Sequence, residues 1–488
     1  MTPKKFCAAL LILAQAAAGL HIALAENATI ELPDIGDPTG TLMTPQQESE
    51  LGWAFFRSLH SKMEINEDPE ALDYIQTVGE KLTGNSDDPA RHYTFFVVNS
   101  AVINAFAGPG GYIGVNSGLI TLTDEESELA SVMAHEIAHV TQKHMFQTFQ
   151  AASRLSIPTA LAMLAGALLG SQAGGQAGMA AMMAAQAAAT QYQINFTRDN
   201  EAEADRVGMQ ILSKSEFDPR AMPNFFEKMQ QSTRFAGSRL PEFLLTHPVT
   251  VSRISDTRDR SEQFGYRQYP DTMAYRIIKA KLRVQTAGKD PKAALEYFRA
   301  VNGQGTKAQQ DATLYGMALA LQRLGRFDEA RPMLQRLALA YPNQSQFVSA
   351  LGALEMDAHN YAKAVRINEQ ALQRFPGNRA LTFNQSRALL QAGEAQEARK
   401  LLHDYLRYHQ PTPDVYEVLA ETYSKLGSEA EYHRYYAEAY YADGQTRAGI
   451  QQMQIAKKFA GDNFYLNSVI DQRISEWTQE ERARKEDR

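Results

Sequence analysis

In the run His135-Glu136-Ile137-Ala138-His139 two histidines stand four residues apart, with a glutamate beside the first. On a helix this spacing puts both imidazoles on one face, one turn apart, so both can reach one zinc ion while Glu136 reaches a water on it. Val132, Met133, Ile137, Ala138 and Val140 make the surrounding sequence apolar, so a buried helix is expected rather than two surface histidines. A third ligand is required. In one scheme it is a histidine six residues after the second, with a glycine at plus three, but those positions hold Met145 and Gln142. Asp199-Asn200-Glu201-Ala202-Glu203-Ala204-Asp205 supplies the alternative. Glu201 and Asp205 share a helical face, so Glu201 can bind zinc while Asp205 accepts a hydrogen bond from a ligand histidine and fixes its tautomer. Glu203 points away from that face and is expected in solvent. The single cysteine, Cys7, and the 11 histidines restrict any metal site to nitrogen and oxygen donors. His60, His92, His144, His359, His403, His409 and His433 read as surface or repeat residues; on a continuous helix His144 lies roughly 140° around from His139.

Several elements must position these groups. Thr44-Pro45-Gln46-Gln47 opens a helix with a hydroxyl cap, a first-position proline and a capping-box glutamine. Tyr93 to Val98, Val102 to Phe106 and Tyr112 to Val115 favour short strands, with a tight turn at Gly108-Pro109-Gly110-Gly111 between the last two. The segment Tyr112 to Asn116 can offer a strand edge to an unfolded substrate, or it can be an internal strand with no free edge. Thr123-Asp124-Glu125-Glu126 reads as a capping box opening the helix that carries the histidine pair. From residue 155 to residue 197 there is no Asp, Glu, Lys, Arg or His, and glycines at 166, 170, 174, 175 and 178 break the stretch into pieces too short to span a bilayer. It reads as an Ala/Met/Gly hairpin over the domain, or as a lid or membrane-surface contact.

Beyond about Gly265 the chain repeats. Ala330, Ala364 and Ala398 recur every 34 residues, as do Pro342 and Pro376, Phe327 and Tyr361, and Gly393 and Gly427, with Gly325 two periods earlier. This period fits helix-turn-helix units and resembles tetratricopeptide repeats from about Thr272 to about Ala460, with His359 in place of one turn glycine. Such stacks present a concave surface to protein partners. The nine tyrosines between Tyr405 and Tyr441 are expected mostly in the repeat core, some lining the concave face. The charged end from Glu480 is expected in solvent.

With 488 residues the chain exceeds one core. Its 44% apolar and 22% charged residues exclude a disordered chain and a polytopic membrane protein, and its net charge of -7 argues against nucleic acid as a partner. Lys4 and Lys5, the uncharged run Phe6 to Ala25 and the closing Ala23-Leu24-Ala25 read as a cleaved signal peptide, with an uncleaved anchor as the alternative; periplasmic residence is expected. Pro33, Gly36, Pro38 and Gly40 then suggest an extended arm over 26–44, followed by a metallopeptidase domain over 45–265, the repeats over 266–480 and a charged tail over 481–488.

The pair His-Glu-x-x-His and Glu-x-x-x-Asp, with Asn104-Ala105-Phe106 to Gly118-Leu119-Ile120 upstream and Thr246-His247-Pro248 downstream, resembles the zinc peptidases of the CAAX-prenyl-protease and HtpX type. The resemblance implies a mostly helical protein: a mixed α+β gluzincin-type domain with a small sheet, then the α-helical repeat solenoid. It implies one zinc per chain on His135, His139 and Glu201, catalysis by Glu136, and Asp205 as a second catalytic-site residue, sometimes described as a proton donor. Thr246-His247-Pro248 followed by Arg253-Ile254 matches the family's segment near the metal. His247 is therefore expected to occupy or guard a fourth zinc position, to position substrate, or to serve loop structure. Together with the signal peptide and repeats, the resemblance implies a periplasmic endopeptidase that degrades misfolded or stalled outer-membrane β-barrel proteins, its repeats docking substrate or the barrel-assembly machinery. The alternative is a chaperone or scaffold for outer-membrane protein assembly, acting through its repeats, with proteolysis secondary.

Overall fold

The computed structural model describes residues 43–60, 62–151, 198–235, 241–288, 290–409 and 411–486. The expected signal peptide, the arm up to residue 42 and the uncharged stretch 155–197 lie outside these residues. No described helix is long and apolar enough to cross a membrane.

Helix α1 (Pro45–His60) begins at the proline marked in the sequence. Helix α2 (Pro69–Thr83) is capped by Asp68, whose carboxylate accepts from the amides of Glu70 and Ala71. Strands β1 (Thr94–Val98), β2 (Ala105–Ala107) and β3 (Tyr112–Asn116) form one mixed sheet in the order β1-β3-β2. β3 pairs parallel with β1 and antiparallel with β2. It is the central strand, with Ile113 and Val115 fully buried, so Tyr112 to Asn116 has no free edge to offer a substrate. The alternative of an internal strand is the one observed.

Two helices follow, α3 (Ser117–Leu122) and α4 (Glu126–Thr141). Thr123 does not cap α4. Its hydroxyl closes α3 by donating to the Ile120 carbonyl and lies 2.9 Å from the Tyr275 hydroxyl. The start of α4 is held by distant groups instead: the Glu126 amide donates to Asp271, and the Glu126 carboxylate accepts from Tyr74 and Thr272. A tertiary network thus replaces the local box. The domain continues through α5 (His144–Ala151), α6 (Arg198–Lys214), α7 (Ala221–Phe235), α8 (Glu242–Thr246) and α9 (Val251–Ser261). Leu129, Met133, Ala134, Ile137 and Ala138 of α4 pack in one core with Val207, Ile211 and Leu212 of α6, Phe225 and Phe226 of α7, and Phe243 of α8.

Helix α10 (Met273–Thr286) belongs to two cores at once. Its Tyr275, Ile278 and Leu282 fill the core around the histidine helix, while Ile277, Ala280 and Val284 pack into the repeats. From α11 (Pro291–Ala300) onward helices stack in sequence to α21 (Phe464–Glu486). The recurring alanines, Ala330, Ala364 and Ala398, are fully buried where helices meet. Gly325, Gly393 and Gly427 have φ of 72°, 84° and 71°, the left-handed turn that glycine adopts without steric cost. His359 takes the same conformation at φ 59°, and its Nδ1 lies 2.7 Å from the Tyr361 hydroxyl.

The start of the charged end is not free in solvent. Glu480 pairs with Arg57 of α1, whose buried guanidinium also donates to Thr446 and lies 4.2 Å over the ring of Tyr441. Tyr441 stacks in turn on Trp477 at 4.4 Å. The first described helix is therefore clasped by the last ones.

Candidate metal centre

The histidine pair sits in the middle of α4, and α6 crosses it closely. The close approach needs Gly208, where a Cβ would lie only 3.2 Å from the backbone nitrogen of His135. This contact brings Glu201 and Asp205, on the preceding turns of α6, to the two imidazoles. The short α8 then delivers His247 at its C-terminal end, held by its amide donating to the Phe243 carbonyl at 2.8 Å. His135, His139, Glu201 and His247 are all buried, and each turns one ligand atom into a common space, all within 4.8 Å of one another.

His139 Nε2 is 3.0 Å from His135 Nε2 and 3.4 Å from Glu201 Oε1. His247 Nδ1 is 3.3 Å from His135 Nε2 and 3.1 Å from Glu201 Oε1. Tetrahedral nitrogen and oxygen ligands with bonds of about 2.0–2.1 Å stand about 3.3 Å apart, so the spacing fits a metal ion at the centre of the four. The charge distribution agrees. Burial by itself works against a charged His135, yet the carboxylates of Asp205 and Glu201 outweigh it and push this imidazole up to about 9. Burial also opposes the charged form of Glu201, but His247, His135 and His139 hold its carboxyl well below the usual range. His139 goes the other way, pushed well below the usual histidine range by burial and by the neighbouring His135. A buried set of electron-pair donors that stabilises positive charge is what a cation needs.

Glu136 is buried beside this set, its Oε1 3.4 Å from His247 Nε2. The His247 ring thus spans the space between the ligand atoms and the glutamate. Asp205 Oδ1 lies 3.0 Å from His135 Nδ1, the expected supporting contact to a ligand histidine.

Two residues of the centre escaped the sequence reading. Arg253, noted only as part of a matching segment, is buried on α9 and grips Asp205 with two nitrogens at 2.8 and 2.7 Å while a third lies 2.7 Å from Glu201 Oε2. Burial raises the Asp205 carboxyl, but Arg253 and His135 bring it net below the usual carboxylate range, so Asp205 is held ionised. His144 is the second correction. It is fully buried, not at the surface, and its Nδ1 lies 2.9 Å from His139 Nδ1. The assumption of a continuous helix fails because α4 ends at Thr141 and Lys143 takes a positive φ of 56°, which swings His144 back beneath His139. Burial keeps the His144 imidazole below the usual histidine range, against the opposing pull of Glu203. Glu203 is partly exposed but faces both His144 at 3.4 Å and Arg206 at 3.2 Å.

Comparison with known proteins agrees with this geometry. Residues 69–261 match peptidase family M48, and residues 286–354 and 355–422 match the tetratricopeptide repeat. A protein of Vibrio cholerae is 38% identical over 409 residues, covering 84% of each chain. The beta-barrel assembly-enhancing protease of Escherichia coli K12 is 32% identical over 479 residues, 98% of this chain and 97% of that one. The mitochondrial metalloendopeptidase OMA1 of Bos taurus is 28% identical over 215 residues, 42% of this chain and 40% of its own. The chain belongs to the beta-barrel assembly-enhancing protease family, metalloendopeptidases of peptidase family M48 that carry tetratricopeptide repeats.

Proposed function

We propose that this protein is a periplasmic zinc endopeptidase that degrades misfolded or stalled outer-membrane β-barrel proteins. The observation that carries the reading is the convergence of four buried ligand atoms, from α4, α6 and the end of α8, next to a buried glutamate. In this reading His135, His139 and Glu201 hold one zinc ion. When bound, the ion acidifies a water and polarises the scissile carbonyl. Glu136 takes the proton on its carboxylate and returns it to the leaving amine. Asp205, kept ionised by Arg253, works through His135 by holding its Nδ1, so it positions a ligand rather than donating a proton. His247, whose ring lies between Glu201 and Glu136, would be a further ligand and would keep the resting enzyme latent. The repeats dock substrates or the barrel-assembly machinery. The barrel-assembly names of relatives aligned over most of the chain support this role.

The reading is tested with Glu136→Gln, expected to keep one zinc per chain and lose hydrolysis of an unfolded protein by about 10²–10⁴-fold. Retained hydrolysis overturns it. A second reading, a scaffold for barrel assembly with proteolysis secondary, is favoured by a cavity of about 1040 Å³ between the α2 region and the repeats. Its walls include Asn66, Glu70, Lys281, Tyr315 and Phe383 and none of the candidate catalytic residues. Full activity in vivo of Glu136→Gln would select that reading.

A further inference from the structure

The two histidines of α4 are supported differently. His135 has the Asp205 carboxylate at its Nδ1, whereas the Nδ1 of His139 faces another histidine, His144, at 2.9 Å. The rings stand 4.9 Å apart at 74°, an edge-on approach that points one ring nitrogen at the other. If both facing nitrogens carried a hydrogen they would clash, and if neither did they would repel, so one donates to the other. A histidine that turns Nε2 toward a metal carries its hydrogen on Nδ1, which makes His139 the donor and His144 Nδ1 the acceptor. The hydrogen of His144 then sits on Nε2, the atom that faces Glu203 Oε2 at 3.4 Å. A backbone cost accompanies this arrangement. Lys143 holds a left-handed conformation that disfavours a residue with a Cβ, and such strain persists where the surroundings demand it.

We propose that His144 is the positioning residue for His139: by accepting the Nδ1 hydrogen it fixes the tautomer and ring plane that present His139 Nε2 to the metal. The proposal rests on the reading of His139 as a metal ligand. It gives the second histidine a support unlike that of the first, an imidazole rather than a carboxylate, and so leaves His139 the less basic of the pair.

The test uses the purified full-length chain and three substitutions. His144→Ala removes the ring, His144→Phe keeps its volume without an acceptor, and His144→Asn can place a carbonyl oxygen where Nδ1 stood. Zinc affinity is measured by competition with a chromogenic chelator, and the ligand field by the visible spectrum of the cobalt-substituted protein. His144→Phe and His144→Ala are expected to weaken zinc by about ten- to a hundredfold and to shift the cobalt bands, with His144→Asn recovering most of the loss. A His144→Phe protein with parental affinity and spectrum overturns the proposal, because packing alone then suffices. A His144→Asn protein as weak as His144→Phe overturns it too. Should His144→Ala fail to fold, the Asn and Phe pair decides. A parent chain that takes up no metal removes the underlying reading and this inference with it, whereas a metal-loaded parent with indifferent variants removes the inference alone.

Discussion

His247 sets the sharpest expectation for activity. Its Nδ1 is 3.3 Å from His135 Nε2 and 3.1 Å from Glu201 Oε1, and its Nε2 is 3.4 Å from Glu136 Oε1. In the proposed mechanism the ring fills the place where a water would meet both the ligand atoms and Glu136, so hydrolysis would require the ring to leave. Departure gives up contacts with two buried carboxylates, and one charge-assisted contact is worth about 1.5–3 kcal/mol. With a tenfold population change for every 1.4 kcal/mol, one such contact favours the shut state by roughly ten- to a hundred-and-fifty-fold. His247→Ala should therefore raise cleavage of a fluorescently labelled, unfolded casein by about ten- to a hundredfold over the parent, with three protein ligands still holding zinc. The assay compares initial rates at matched enzyme concentration, with the zinc content of both proteins measured alongside. A fully zinc-loaded His247→Ala enzyme with parental or lower activity refutes the argument.

Arg253→Met leaves Glu201 and Asp205 as buried carboxylates without their guanidinium, a loss of about 3–5 kcal/mol, so the thermal midpoint should fall and zinc should bind more weakly; an unchanged midpoint contradicts this. Lys143→Gly should hold stability within about 1 kcal/mol of the parent, while β-branched Lys143→Val should lose more in the same denaturant titration; equal effects would show that the backbone there is not constrained. In the repeats burial raises the Glu355 carboxyl, but Arg331, Lys363 and Asn360 bring it net below the usual range. Its stabilising contribution is then complete above the unfolded value of about 4.3 and disappears as pH falls through the lower folded one. Glu355→Gln should flatten the acid-side loss of stability below about pH 4, and superimposable acid-unfolding curves would count against it.

The metal centre was legible wherever helical spacing alone decides position. His135 with His139, and Glu201 with Asp205, are both i, i+4 pairs, so a single helix places each pair, and one close helix crossing joins them. The repeats were legible for the same reason, because a 34-residue period survives even where His359 must adopt a glycine's conformation. What local pattern could not supply were the changes of direction. Nothing in Gln142-Lys143 announces a left-handed residue, and without that turn His144 reads as a surface residue. Arg253 reaches the centre only because α9 folds back over α6, a contact that no spacing encodes. Thr123 has the form of a helix cap, but Tyr275, far along the chain, claims its hydroxyl. The strand that could have been an edge or an internal strand lies in the middle of the sheet, since strand order is a property of topology rather than of strand sequence.

The clasp on Arg57 ties the first described helix to the last. Arg57 and Glu480 are separated by 423 residues, and the guanidinium is buried between its carboxylate partner and the Tyr441 ring. Closing so long a loop adds little in free energy over a loop of half the length, about 0.6 kcal/mol. Tyr441, Thr446 and Glu480 supply the cover over Arg57, so the burial of this cation on α1 depends on helices at the far end of the repeats. The seat of α1 is completed by the late repeats, while the core around the histidine helix is built from residues between Ala71 and Leu282. A chain without α21 keeps every residue of the metal centre and lacks Glu480, so the seat of α1 and the integrity of the centre are separable.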